Sequence, residues 1–322
     1  MFQVAPRPTS HFTSNNMETY SPSIPTAVPP SLQLPRTLAR PTFNEVSRET
    51  IIAIAPELAE VPMEYVRKHL AGQANEMLGA LSLLTIPSSL PRSRLASSLD
   101  APIRPTSSVP SSSAFPTHIL AISSSRTSPS MPATPTVASF AAQPNMSASA
   151  TIPLYPTHAL VLAAYCTLLP PLPRSRPNNR SATINLPIVP LNVPSAETFP
   201  SLHAYLHTRR ADSLLGALLP SLARLLPPFT PGSSSSSRPA YVAQFSSDTL
   251  LRLAQQLAST AYAQAGSQGA LSGLMAHARI VNGLWKNVCA LGIFDAELWG
   301  VMDVAWEIVL AALTRVAERE RV

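Results

Sequence analysis

Apolar residues recur every three or four positions in separate parts of this chain, and prolines divide those parts from one another. Between Pro62 and Pro87 the positions Met63, Val66, Leu70, Ala74, Met77, Leu81 and Leu84 trace one stripe, predicting an amphipathic helix of about five turns. Pro62 suits its first turn and Pro87 stops it. A shorter helical turn precedes it in "SRETIIAIA", capped by Ser47 and ended by Pro56. A stripe of that length cannot stay wet, so the helix needs a partner surface.

The most regular pattern is C-terminal. Ser247 or Asp248 opens a helix with Leu250, Leu253, Leu257 and Ala261 on one face. After a break at "AGSQG", Leu271, Leu274, Ala278, Val281, Trp285 and Val288 continue the period, and Gly292 reads as a C-terminal cap. Asp295 caps a last helix whose stripe is Leu298, Met302, Ala305, Val309, Ala312 and Val316. Trp285, Trp299 and Trp306 all fall here, which places the main core in this region.

The middle alternates. Residues 151–169 hold "YPTHALVLAAYCTLL", a short helix from about Thr157 to Leu169. "ATINLPIVPLNV", residues 182–193, is β-branched, and its prolines confine it to an edge or interrupted strand. Thr198 then caps a helix with Pro200 in its first turn, and "RADSLLGALLPSLARLL" continues as a helix kinked at Pro220. Pro/Ser/Thr-rich text without period covers residues 1–40 and 87–150, read as a disordered arm and a disordered linker, with one apolar island, "FPTHILAI", in the second. Residues 41–86 form a helical segment, and 151–322 a helical core, with room for an α+β arrangement and a flexible loop at 227–240. The fold class expected is mainly α: a helical bundle with room for a small β element, interrupted by long Pro/Ser-rich segments. "LPRSR" and "PTH" each occur twice, but their separations differ and define no repeat.

Composition sharpens this picture at three points. With 35 prolines in 322 residues and 12% charged residues, packed segments must alternate with segments that cannot pack. Residues 92–240 carry 11 Lys/Arg against 3 Asp/Glu, while the flanking parts are nearly neutral. Those arginines are scattered with few aromatics among them, which fits a solvated or partner-binding linker better than a nucleic-acid surface. Cys166 and Cys289 lie in apolar text, as buried free thiols do in a reducing compartment. The apolar runs fall short of a membrane span and the first residues lack a signal-type apolar region, so an intracellular soluble protein is expected.

Candidate chemistry is sparse. The sequence holds no glycine-rich phosphate loop, HExxH, paired CxxC or GxSxG motif. His203 and His207, four apart on one helix, have the spacing of a zinc pair, but a third ligand at suitable spacing is missing. With Phe199, Leu202 and Leu206 marking the buried face, the two histidines read as border residues keeping one nitrogen wet. Thr157 and His158 read as a helix start whose polar groups satisfy free backbone N–H donors. Cys166 makes a poor nucleophile, because apolar neighbours raise a thiol pKa. His277 and Arg279 read as exposed, and Trp299 and Trp306 as core or interface anchors. Ser21, Ser128, Thr134 and Thr230 each precede proline and would suit a proline-directed kinase. No cofactor, metal or small-molecule substrate is expected.

Four stretches together carry a family resemblance: "VSRETIIAIAPELAEVPMEYVRKHL", "YPTHALVLAAYCTLLPPLP", "LPIVPLNVPSAETFPSLHAYLHTRRADSLLGALLP" and "MAHARIVNGLWKNVCALGIFDAELWGVMDVAWEIVLAAL". They resemble the clampless family of basidiomycete fungi. The resemblance implies a non-enzymatic regulator of sexual development and clamp-cell formation, downstream of the mating-type homeodomain factors. It further implies a nuclear or nucleocytoplasmic protein working through nuclear regulatory proteins of that pathway. A fainter likeness, in "PTHALVLAA", an extended segment and "AETFPSLHAYLHT", is to BTB/POZ interaction domains, and implies that Phe199, Leu202 and Tyr205 anchor a helix against a small sheet. The packing or interaction anchors singled out are therefore Phe199, Leu202, Tyr205, Trp285, Trp299 and Trp306. An Arg-dependent DNA-binding accessory protein is the alternative.

Overall fold

In the computed structural model, residues 34–105, 111–124, 151–175, 182–228 and 241–319 are described. The order of elements is α1 (Arg48–Ile54), α2 (Met63–Ser82), β1 (Ser89–Pro91), β2 (Ser98–Pro102), β3 (His118–Ser124), β4 (Thr151–Thr157), α3 (Ala159–Tyr165), β5 (Thr183–Val193), α4 (Phe199–Thr208), α5 (Ala211–Leu218), α6 (Ser247–Leu291) and α7 (Ala296–Arg319). From Arg36 onward they belong to one compact unit, so residues 41–86 share the body of the C-terminal helices.

The five strands form one sheet in the order β1-β4-β3-β5-β2. This corrects the mainly helical expectation: the fold is mixed α/β, and three of its strands come from the stretch read as a disordered linker. The reason lies in strand length. β1 has three residues and β2 five, with prolines at their ends, too short for alternation to show. The apolar island becomes β3, whose Ile119, Leu120, Ala121 and Ile122 are buried on both faces. It lacks alternation for that reason.

β3 and β4 pair antiparallel, with His118 opposite Thr157 and Ile119 opposite Pro156. The two "PTH" triplets, at 116–118 and 156–158, are thus neighbours across this pairing. β5 lies between β3 and β2 in sheet order, but its halves pair separately: Thr183–Pro187 with β2 and Ile188–Val193 with β3. Each half is paired on one side only, which is how a strand tolerates Pro187 and Pro190.

On one side of the sheet, Ile119, Ala121, Leu154, Ile184, Leu186 and Ile188 bury Ala80 and Leu84 from the end of α2 with Phe115. The stripe of α2 is buried at Val66, Leu70, Ala74, Met77 and Ala80, and the helix packs against α3 and α4. The second core is the α6–α7 pair, where Leu298, Met302, Ala305, Val309, Ala312 and Val316 are all fully buried. α6 is two helical segments meeting at Gly266 (φ 65°, ψ −174°), inside the expected break. It opens at Ser247, as expected, and Ser246 caps it by accepting from the Thr249 N–H. α5 ends at Leu218 and a single 3₁₀ turn, Pro220–Leu222, follows, so Pro220 breaks the helix instead of kinking it. Most of the expected 227–240 loop lies outside the described residues.

Residues 36–46 correct another expectation. They have neither helix nor strand, but Leu38 and Val46 are buried and Arg40 forms an ion pair with Asp303 on α7. The end of the N-terminal arm is therefore a strap laid on the C-terminal helices, while residues 1–33 lie outside the described residues.

Candidate interaction surface

Among the described residues, most of the buried polar groups gather in three clusters, and each does structural work. The first gathers histidines. His158, at the start of α3, meets His207 of α4 with ring centroids 5.4 Å apart, and His203 meets His207 at 4.4 Å with the rings tilted by 46°. His158 Nε2 lies 2.8 Å from the Ala114 carbonyl, and His207 Nδ1 lies 2.9 Å from the His203 carbonyl. A carbonyl only accepts, so both these nitrogens carry the proton. His158 Nδ1, His203 Nε2 and His207 Nε2 are buried with no hydrogen-bond partner. Contrary to expectation, then, His207 keeps neither nitrogen wet: one faces the His203 carbonyl and the other is buried. Burial, opposed by the Ala114 carbonyl and aided by His207, lowers the His158 imidazole to about 4. Burial also holds His203 well below its ordinary value and lowers His207. Among the described residues no three His, Cys, Asp or Glu side chains are disposed to hold a metal ion. The tilted rings are packing surface, with Tyr155 and Phe199 extending the cluster at 5.3 Å from each other.

The helix start at His158 also differs from expectation. Thr157 Oγ1 is buried without a partner, and the free N–H of Ala159 donates instead to Thr117 Oγ1 at 2.8 Å. The threonine of one "PTH" thus caps the helix that follows the other.

The second cluster surrounds Arg209, which ends α4 in the left-handed region (φ 56°). Its guanidinium lies 4.7 Å from the ring centroids of both Tyr165 and Tyr205 and pairs with Asp295. Asp295 also accepts from Tyr205 Oη at 2.6 Å and from the Leu298 N–H at 2.8 Å, the capping bond of α7. Burial alone would raise the Asp295 carboxyl. Arg209, with those donors, outweighs it and holds the carboxyl below its usual range. Sequence reading marked Asp295 as a cap and missed its partner, because nothing local ties Arg209 to it.

The third centre is Asn287, fully buried on α6. Its Oδ1 accepts from the Ser195 N–H at 2.9 Å, while Nδ2 donates to the Ser195 carbonyl at 2.7 Å and to Thr198 Oγ1 at 3.0 Å. This amide fastens the turn between β5 and α4 to α6. Its position beside Val288 of the expected stripe was the available signal.

Phe199, Leu202 and Tyr205 are all buried, so their role is packing within the fold. Cys166 is buried and its thiol is pushed up to about 12 by burial; Cys289 is half-buried and also raised. His277, expected on an exposed face, is half-buried with Nδ1 3.4 Å from the Leu218 carbonyl, whereas Arg279 is exposed. Arg209 and Arg210 of the basic middle are committed to Asp295 and Asp212. Ser21, Ser128, Thr134 and Thr230 lie outside the described residues. Among the described residues, no helix is long and apolar enough to cross a membrane.

The tryptophans behave differently from these clusters because the strap converges on them. Trp285 Nε1 donates to the Ala39 carbonyl at 2.7 Å. Arg40 lies over the Trp299 ring at 5.4 Å, and Trp299 is oriented by donating to the Ile293 carbonyl at 3.0 Å. Trp306 lines a groove of about 830 Å³ with Leu38, Asp303, Glu307 and Leu310. Phe43, largely exposed, meets Phe294 edge-on at 5.2 Å. Sequence reading assigned the tryptophans to a core, and missed the segment that covers them.

Residues 41–194 match the family model described as the Clampless protein 1 N-terminal domain, and residues 212–322 match the Clampless protein 1 C-terminal domain. No curated protein and no solved structure matches the chain.

Proposed function

Because the chain belongs to the clampless protein 1 family, with a role in clamp formation, we propose that it is a non-enzymatic regulator of fungal sexual development that works by gripping other proteins. In this reading it acts in or near the nucleus, downstream of the mating-type homeodomain factors, on regulatory proteins of that pathway. The observation that supports a gripping role is the tryptophan face of α6 and α7, which holds an extended segment through main-chain, cationic and apolar contacts. The ionisable groups support the non-enzymatic part. A thiol raised to about 12 and an imidazole lowered to about 4 are each far from the neutral range in which a nucleophile or general base works.

The full chain, tagged in mated mycelium and cross-linked before purification, tests the proposal. Recovery of the same nuclear regulators in repeated experiments is the expected result, and their absence while clamps still form normally would overturn it. The DNA-binding alternative predicts retention on duplex DNA that falls steeply with salt. The ion pairs that commit Arg209 and Arg210 count against it.

A further inference from the structure

Residues 36–46 display what the outer face of α6 and α7 can hold. The segment has no ladder of its own, and three kinds of contact fix it. Apolar side chains, Leu38 and Val46, are buried. One main-chain carbonyl, that of Ala39, accepts from the Trp285 indole. One guanidinium, that of Arg40, pairs with Asp303 over the face of Trp299. An apolar anchor, a main-chain contact and a cation over an aromatic ring are how extended peptides are recognised in grooves. The strap shares a groove with Trp306, Glu307, Leu310 and Thr314, where Asp303 and Glu307 supply the negative charge that favours an arginine-bearing ligand.

We propose that the face built by Trp285, Trp299 and Trp306 is a peptide-recognition groove, held in cis by residues 36–46 and taken over by an extended apolar-x-Arg segment of a partner protein. This deepens the interaction reading above and rests on it. The strap's ion pair is partly exposed, with side chains 54% and 43% accessible, so it is readily exchanged for another of the same chemistry. Tethering sets the barrier. A short tether presents the strap at an effective concentration on the order of millimolar, so a displacing partner must bind more tightly or bring a second contact.

The test uses the full chain and a fluorescein-labelled peptide of its own residues 36–46, RTLARPTFNEV, read by fluorescence polarisation. The wild-type groove is occupied and binds the peptide weakly. A Leu38→Asp, Arg40→Glu chain releases the strap and binds at least about tenfold more tightly. Adding Asp303→Lys to that chain weakens binding by about fivefold or more. The single Arg40→Glu chain leaves every buried residue in place, and must also bind more tightly than wild type. A strap-released chain with unchanged helical circular dichroism that ignores the peptide would overturn the proposal, as would an Arg40→Glu chain indistinguishable from wild type. A concentration-dependent wild-type dimer in light scattering would put a second copy in the groove and equally overturn it. Loss of peptide binding while partners are still captured removes this groove and leaves the interaction reading standing; peptide binding without captured partners does the reverse.

Discussion

Acidification should unfold this protein through its histidine cluster before its carboxylates are touched. His158 titrates at about 4 in the folded chain and near its ordinary value of 6.5 when unfolded. Below that ordinary value the unfolded chain takes up a proton that the folded chain refuses. The contribution to stability is therefore complete above about pH 6.5 and lost as pH falls toward the folded value. At about pH 5 the expected loss from His158 alone is about 2 kcal/mol, reaching about 3 kcal/mol below pH 4. His203 and His207 are shifted in the same direction by the same burial and add to it. Asp295 is held low by Arg209, so its own loss sets in only as pH falls toward the ordinary value of 3.8, below the pH 5 measurement. Equilibrium urea unfolding at about pH 7.5 and about pH 5 measures the difference. A His158→Gln chain, which can still donate to the Ala114 carbonyl, should lose a large part of it. Equal stability at the two pH values, or an undiminished pH dependence in the variant, would refute the reasoning.

Three further outcomes follow from named contacts. Asn287→Leu removes the amide that serves Ser195 and Thr198 and should cost about 2–4 kcal/mol in urea unfolding, with the Ser195 N–H left unpaired. Asp295→Ala strands the buried Arg209 cation and uncaps α7, for an expected loss of about 3–5 kcal/mol; adding Arg209→Met should recover part of it in the same assay. Gly292→Ala forces a side chain into the left-handed region (φ 64°) against Thr167 and Leu168, and should lower the thermal midpoint by several degrees, about 1 kcal/mol or more.

The helices were legible because their signals are local and repeated. The stripe of α2, the buried face of α7, the Asp295 and Gly292 caps and the break at Gly266 each follow from spacing within a few turns. The sheet was not. β1 and β2 are too short to show a period, and β3 is buried on both faces, so their pairing with β4 and β5 decides that they are strands at all. The same holds for the polar centres. An arginine ending α4 acquires its role from an aspartate 86 residues away. The strap acquires its own from tryptophans 246 residues and more downstream.

Local patterning was enough to say which segments are helical and which face of each must be covered, since backbone hydrogen bonding and apolar periodicity act over a few residues, but it overran the ends of α3 and α5. Which surfaces cover those faces, that proline-rich text closes a five-stranded sheet, and that the tryptophans hold a strap emerge from the folded chain. Those outcomes depend on burial between segments far apart in the chain, and no local pattern encodes such a meeting.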